Sequence, residues 1–265
     1  MNAYPSAITN STASKQPAFL VFEGLDGCGK SRQVRRAASI LREFGHRVCL
    51  TGEPTGFSTD KRPNVIGALA RSVLRGDVKI QDYRALQLIY AADRLEHVAM
   101  TIQPALAAGE IVVCDRYDLS TLLYGMASVA ECACTSGCGW TGSEDGLPGM
   151  GVTCPRCSKN GIHSPRDEIE VWLQVVGSHA PRPTATIIID TPAEVCAARR
   201  KARKAVEFFD DDAFQATLAG LYRDAADYLP TGDTVLYVDG SGTADDVTAC
   251  VRKALASAPL SLIPA

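Results

Sequence analysis

The chain has 265 residues, 46% of them hydrophobic, and a formal net charge of −3, which allows one large α/β domain with an insertion and argues against non-specific attraction to nucleic acid or membrane as the main role. No apolar run is long enough to span a bilayer, and Met1 to Gln16, rich in Ser, Thr, Ala and Asn, lacks the apolar core of a signal peptide and reads as a disordered tail. Of the ten cysteines, five fall between Cys132 and Cys157 and the rest sit singly in apolar segments, a distribution that suits a reducing, cytoplasmic setting better than a disulfide framework.

The first predicted element is the apolar strand Ala18 to Phe22. Gly24-Leu25-Asp26-Gly27-Cys28-Gly29-Lys30-Ser31 follows it, with the spacing of a phosphate loop. In such a loop the backbone around Gly24, Gly27, Cys28 and Gly29 turns N–H groups toward a triphosphate. Lys30 reaches the β and γ oxygens and the Ser31 hydroxyl ligates Mg²⁺. Gln33 to Phe44 reads as the helix whose positive end faces those phosphates. Cys28, at a helix N-terminus beside Lys30, is in a setting that lowers a thiol pKa, but the favoured reading is a small residue that fills the loop.

A short strand from Arg47 to Leu50 then runs into Thr51-Gly52-Glu53-Pro54. Helices follow at Val65 to Leu74 and at Tyr83 to Ala107, the second bent or ended by Pro104. The strand Glu110 to Cys114 ends in Asp115, whose carboxylate would hold Mg²⁺ through water, with Arg116 beside it in the same cleft. The strand Ala185 to Ile189 ends in Asp190, and a helix beginning near Pro192 carries Arg199-Arg200-Lys201-Ala202-Arg203-Lys204. Val235 to Val238 and a helix from Ala244 to Ala256 close the pattern. Strands alternating with helices predict a parallel sheet covered on both faces, with ligands at the carboxyl ends of the strands.

Between Tyr124 and Ala185 the pattern breaks. Cys134-x₃-Cys138 and Cys154-Pro155-Arg156-Cys157 have the spacing of two metal knuckles for a structural Zn²⁺, with Cys132 as the substitute first ligand and His163 a weaker one. The metal would replace the hydrophobic core that so short a segment cannot build. From Glu131 to Arg166 the cations Arg156, Lys159 and Arg166 balance Glu131, Glu144 and Asp145, so nucleic acid is a possible partner but not the favoured one.

The motifs taken together resemble the thymidylate kinases, phosphate-loop enzymes that pass the γ-phosphoryl of ATP to deoxythymidine monophosphate. Asp115-Arg116-Tyr117 followed by Ser120 and Tyr124 is similar to that family's Asp-Arg-Tyr motif, Glu53-Pro54-Thr55 to its Glu-Pro loop, and Tyr90-Ala91-Ala92-Asp93-Arg94 to its aromatic helix segment. The resemblance implies that Arg116 and Arg71 bind the acceptor phosphate, with Glu53 and Ser120 part of the same site. It implies that Tyr90 stacks on the base, Arg94 donates to its O4 carbonyl, Tyr124 lies against the deoxyribose and Asp26 accepts from the 3′-hydroxyl. It implies a homodimer as well. Some members carry an Arg inside the phosphate loop, where this chain has Gly27, so Arg199 and Arg203 of the basic run are expected to close over the moving phosphoryl as a lid near residues 198–210.

The chain departs from the family pattern at Gly52, where a basic residue is usual, at Gly125, where Gln is usual, and at Arg32, where a small hydroxyl residue is usual. The sequence therefore predicts a kinase core over residues 17–128 and 165–265, a zinc-binding module over 129–164 and a tail over 1–16. The alternatives it leaves open are a kinase for a modified deoxyuridine nucleotide, free or within DNA, and a non-catalytic nucleotide switch that binds partners through the zinc module.

Overall fold

The computed structural model describes residues 17–56, 64–129, 165–202 and 208–264, together with 132–134, 136, 138–139, 141–142, 156–158 and 162–163. In chain order these form β1 (Phe19–Glu23), α1 (Lys30–Glu43), β2 (Val48–Gly52), α2 (Val65–Leu74), α3 (Tyr83–His97), a π-helical turn (Val98–Ile102), α4 (Gln103–Ala107), β3 (Ile111–Asp115) and α5 (Asp118–Ala127). Three short strands follow, β4 (Cys132–Cys134), β5 (Thr141–Gly142) and β6 (Ile162–His163). The chain then continues through α6 (Pro165–Gly177), β7 (Ala185–Asp190), α7 (Ala193–Lys201), α8 (Asp212–Arg223), β8 (Val235–Asp239) and α9 (Ala244–Ala256).

The main sheet is parallel in the order β2-β3-β1-β7-β8, and β4 to β6 form a separate antiparallel sheet in the order β5-β4-β6. The unbroken apolar runs of β1, β3 and β7 follow from burial on both faces, because alternate side chains of a strand point to opposite sides. Leu20 and Phe22 join the larger core with Leu41 of α1, whereas Phe19 and Val21 pack with Val98, Ile102 and Ala105 on the other face.

Pro104 neither ends its helix nor sharply breaks it. It has no N–H for the turn below and its ring crowds the carbonyl there. The wider π turn, closed by the Gln103 N–H donating to the Val98 carbonyl, absorbs the misfit, and the helix continues as α4. The helix α5, which the sequence pattern did not announce, is buried along nearly its whole length and packs against α3, α6 and α8.

Candidate active site

The register of the parallel sheet decides where the site lies. Phe22 of β1 and Gly52 of β2 both pair with Asp115 of β3, so the loops after these three strands open along one edge. There a cavity of about 690 Å³ brings together Asp26, Lys30, Ser31, Glu53, Arg71, Tyr90, Arg94, Asp115, Arg116, Ser120 and Tyr124, all of them singled out from sequence.

At the loop end, α1 begins at Lys30, three residues ahead of the expected Gln33. The Lys30 side chain is only 6% exposed and its Nζ lies 3.3 Å from Asp115 Oδ1. Burial alone would push the Asp115 carboxyl up; the Lys30 charge, a hydrogen bond from Ser31 and the Arg116 charge outweigh it and hold the carboxyl below the usual range. Ser31 and Asp115 thus put two hard oxygen donors side by side, a set that suits Mg²⁺.

Gly27 has φ of +91°, and a Cβ there would stand 2.6 Å from the Cys196 carbonyl, so the loop can carry no side chain at this point. Cations approach from α7 instead. Arg199 Nη1 donates to the Cys28 carbonyl at 3.2 Å, and Arg200 Nη1 donates to the Asp26 carbonyl at 3.0 Å. Arg203, expected beside Arg199, lies outside the described residues. Arg200, which sequence reasoning passed over, is the buried member of the run. It is threaded beneath the loop and paired with Asp212 at 2.9 Å. Of the two readings of Cys28, the loop-filling one fits: the residue is 2% exposed, and burial pushes its thiol up in spite of Lys30.

At the opposite end, Arg116 has φ of +70°, a left-handed conformation that is costly for a residue with a side chain, and is held there by its contacts. Its guanidinium donates to Ser120 Oγ at 2.8 Å, to Asp26 Oδ1 at 2.5 Å and to the Tyr124 hydroxyl at 3.1 Å. The Tyr124 hydroxyl in turn donates to Asp26 Oδ2 at 2.9 Å, and Phe209 packs edge-on against the Tyr124 ring with centroids 5.0 Å apart. Arg94 is 4% exposed and is no solvated helix charge. It donates to Glu53 Oε2 at 2.8 Å, to the Tyr117 carbonyl at 3.0 Å and to Thr121 Oγ1 at 2.6 Å.

The Glu53-Pro54-Thr55 loop is clamped from behind. Asp93 accepts from the Thr55 N–H at 2.8 Å and from its hydroxyl, and from Asn64 Nδ2 at 3.1 Å. Arg71 Nε donates to the Thr55 carbonyl at 3.3 Å and Nη2 donates to the Pro54 carbonyl. Glu23, fully buried at the end of β1, accepts from the Tyr117 and Ser120 N–H groups at 2.9 and 3.2 Å and from the Tyr222 hydroxyl at 3.0 Å, so it ties the start of α5 to the sheet. Burial pushes its carboxyl above the ordinary range, against Arg116 and the Ser120 hydroxyl. Neither Glu23 nor Asp93 was marked from sequence as a support: Asp93 lies inside the Tyr90 to Arg94 segment, and Glu23 falls between the first strand and the phosphate loop.

In the insertion, Cys154 and the side chains of Cys132 and Cys134 lie outside the described residues. Cys138 and Cys157 are half-buried, and Arg156 Nη1, from the residue before Cys157, donates to the Cys138 carbonyl at 3.3 Å. Among the described residues no three His, Cys, Asp or Glu side chains gather as a metal site.

With this geometry in hand, the chain can be set beside known proteins. Residues 22–134 match the family model described as thymidylate kinase. The thymidylate kinase of Geobacter sulfurreducens is 34% identical over 187 residues, 70% of this chain and 68% of that protein. That of Rhizorhabdus wittichii is 30% identical over 243 residues, 90% of this chain and 96% of that one. A solved thymidylate kinase from Candida albicans superposes with a TM-score of 0.63 at 24% identity, over 91% of each chain, and so shares the fold.

Proposed function

The chain belongs to the thymidylate kinase family, and we propose from that premise that it transfers the γ-phosphoryl of ATP to deoxythymidine monophosphate through the cavity at the carboxyl edge of its sheet. The observation that carries the proposal is the convergence in one cavity of a phosphate-loop Lys30-Ser31, a strand-end Asp115 and the Arg116-Asp26-Tyr124 network.

Lys30 would hold the β and γ oxygens of the donor, and release of its bond to Asp115 would free that carboxylate to face the metal through water. Mg²⁺, held through Ser31 and Asp115, would supply charge neutralisation across the transferred phosphate. Arg116 and Arg71 would grip the acceptor phosphate, and Glu53 would fix Arg94 so that its edge meets the O4 carbonyl of a base stacked on Tyr90. Tyr124 would stand against the sugar where a 2′-hydroxyl needs room, with Asp26 beside it for the 3′-hydroxyl. Arg199 and Arg203 would close over the loop from the 198–210 segment. No covalent intermediate is needed: the work is positioning and charge stabilisation.

The reading extends to the rest of the molecule. Zn²⁺ would be held by Cys134, Cys138, Cys154 and Cys157, with Cys132 as the substitute, in a closed thiolate set that serves folding of residues 129–164. The bond from the Arg156 guanidinium to the Cys138 carbonyl, which ties a residue of one knuckle to the other, supports this. A homodimer is in keeping with Leu88 and Leu95, which are half-exposed one above the other on α3. A cytoplasmic setting agrees with the absence of disulfides at Cys28, Cys49, Cys114, Cys196 and Cys250. No described helix is long and apolar enough to cross a membrane.

The testing experiment measures Mg²⁺-dependent ATP consumption by the purified chain against each deoxynucleoside and ribonucleoside monophosphate. Deoxythymidine monophosphate should be the preferred acceptor. A preference for another base, or equal rates on deoxy and ribo acceptors, would overturn the acceptor assignment.

A further inference from the structure

Among the described residues six cations line the cavity, and their partners divide them sharply: Lys30, Arg35, Arg71, Arg75, Arg94 and Arg116. Lys30 pairs with Asp115, Arg94 with Glu53, Arg116 with Asp26, and Arg75 with Asp77. Arg71 is bonded to the carbonyls of Pro54 and Thr55, and among the described residues its charge meets no carboxylate. Arg35 is exposed, and among the described residues its guanidinium has neither a hydrogen bond nor an ion pair.

The position of Arg35 is set by two local rules. It lies four residues after Ser31 on α1, and helix side chains lean toward the N-terminus, so it leans toward the phosphate loop. Across from it, Leu50 and Gly52 share one face of β2, while Thr51 turns the other way to meet His97 Nε2 at 2.6 Å. Gly52 can carry no side chain into the gap, because a Cβ there would stand 2.9 Å from the Asp115 carbonyl. The cavity is therefore open between Arg35 and the Glu53-Pro54 loop.

We propose that Arg35 is a further ligand of the acceptor phosphate, joining Arg116 and Arg71 in the same cavity. A phosphate monoester carries close to two negative charges, and since the Arg116 charge is already matched by Asp26, Arg71 leaves one of them unmatched. Arg35 meets that demand with a charge that has no prior protein partner to give up. The inference rests on the monophosphate-acceptor reading above.

Calorimetric binding of deoxythymidine monophosphate and of deoxythymidine, which lacks the phosphate, to the full chain and to its Arg35→Ala and Arg35→Lys variants separates the two ideas. Arg35→Ala should weaken the monophosphate by about tenfold, as for loss of a charged hydrogen bond, and leave the nucleoside unchanged; lysine should recover part of the loss. Steady-state kinetics should show the acceptor KM raised with the ATP KM and the melting temperature unmoved. An Arg35→Ala chain that binds the monophosphate like the parent, or one that loses ATP and acceptor affinity equally, would overturn the role of Arg35. A parent chain that binds the monophosphate no better than the nucleoside would overturn both the role and the acceptor reading beneath it.

Discussion

At the scale of single residues, the site is a set of paired charges that a substrate must reopen. Arg116 holds a strained backbone and four side-chain hydrogen bonds, so Arg116→Ala should lose about 2–4 kcal/mol of transition-state stabilisation, read as a drop in kcat/KM; unchanged kinetics with a lowered melting temperature would make it structural. Tyr124→Ala should narrow the preference for deoxy over ribo acceptors, measured as the ratio of their kcat/KM values. Asp115 gives a pH prediction. Its folded-state pKa is depressed, so its stabilising contribution is present above the ordinary carboxylate pKa and is lost as pH falls through the depressed value. Asp115→Asn should therefore flatten the acid limb of the stability curve below about pH 4, seen in denaturant titrations across pH. Lys30, Ser31, Glu53, Tyr90, Arg94, Asp115, Arg116 and Tyr124 were legible because each sits at a fixed offset in a motif. Arg200 was not, since its partners Asp212 and the Asp26 carbonyl are brought to it only by the fold, and a basic run on its own reads as a solvated face.

At the scale of elements, the five strands of the main sheet and the helices α2 and α9 were readable from apolar runs and periodicity, and the bounds of both helices agree with the expectation. The helix α5 was not, because nearly every one of its side chains is buried and so no polar stripe gives it a period. Likewise a proline rule says that a helix is disturbed but not how, and the π turn before α4 is the particular answer. The Glu-Pro loop owes its position to α3. Asp93 collects two groups of Thr55 and one of Asn64, and Asp93→Ala would leave them unmatched at about 1–3 kcal/mol. The expected result is a lower melting temperature together with a raised acceptor KM, since the same loop supplies the carbonyls that hold Arg71, while the ATP KM stays put. A loss of stability with acceptor kinetics intact would show that the clamp does not reach the site.

At the scale of the whole molecule, a parallel core sheet carries the chemistry and a separate three-stranded sheet projects after α5, which bears Tyr124. If the insertion is a zinc module, Cys154→Ser should lower zinc content by elemental analysis and loosen residues 129–164 to hydrogen exchange, while ATP affinity at the distant loop persists. A metal-free parent purified without chelator would remove the module from the account. The central claim, phosphoryl transfer from ATP to deoxythymidine monophosphate at Lys30, is tested most directly by ³¹P NMR of the two nucleotides with Mg²⁺ and the purified chain. The account predicts that the acceptor's monophosphate signal converts into the paired signals of a diphosphate with the parent, and that Lys30→Ala slows this by far more than about tenfold with its fold intact. A parent chain that leaves the monophosphate signal unchanged, or a Lys30→Ala chain that converts it within about tenfold of the parent rate, would contradict it.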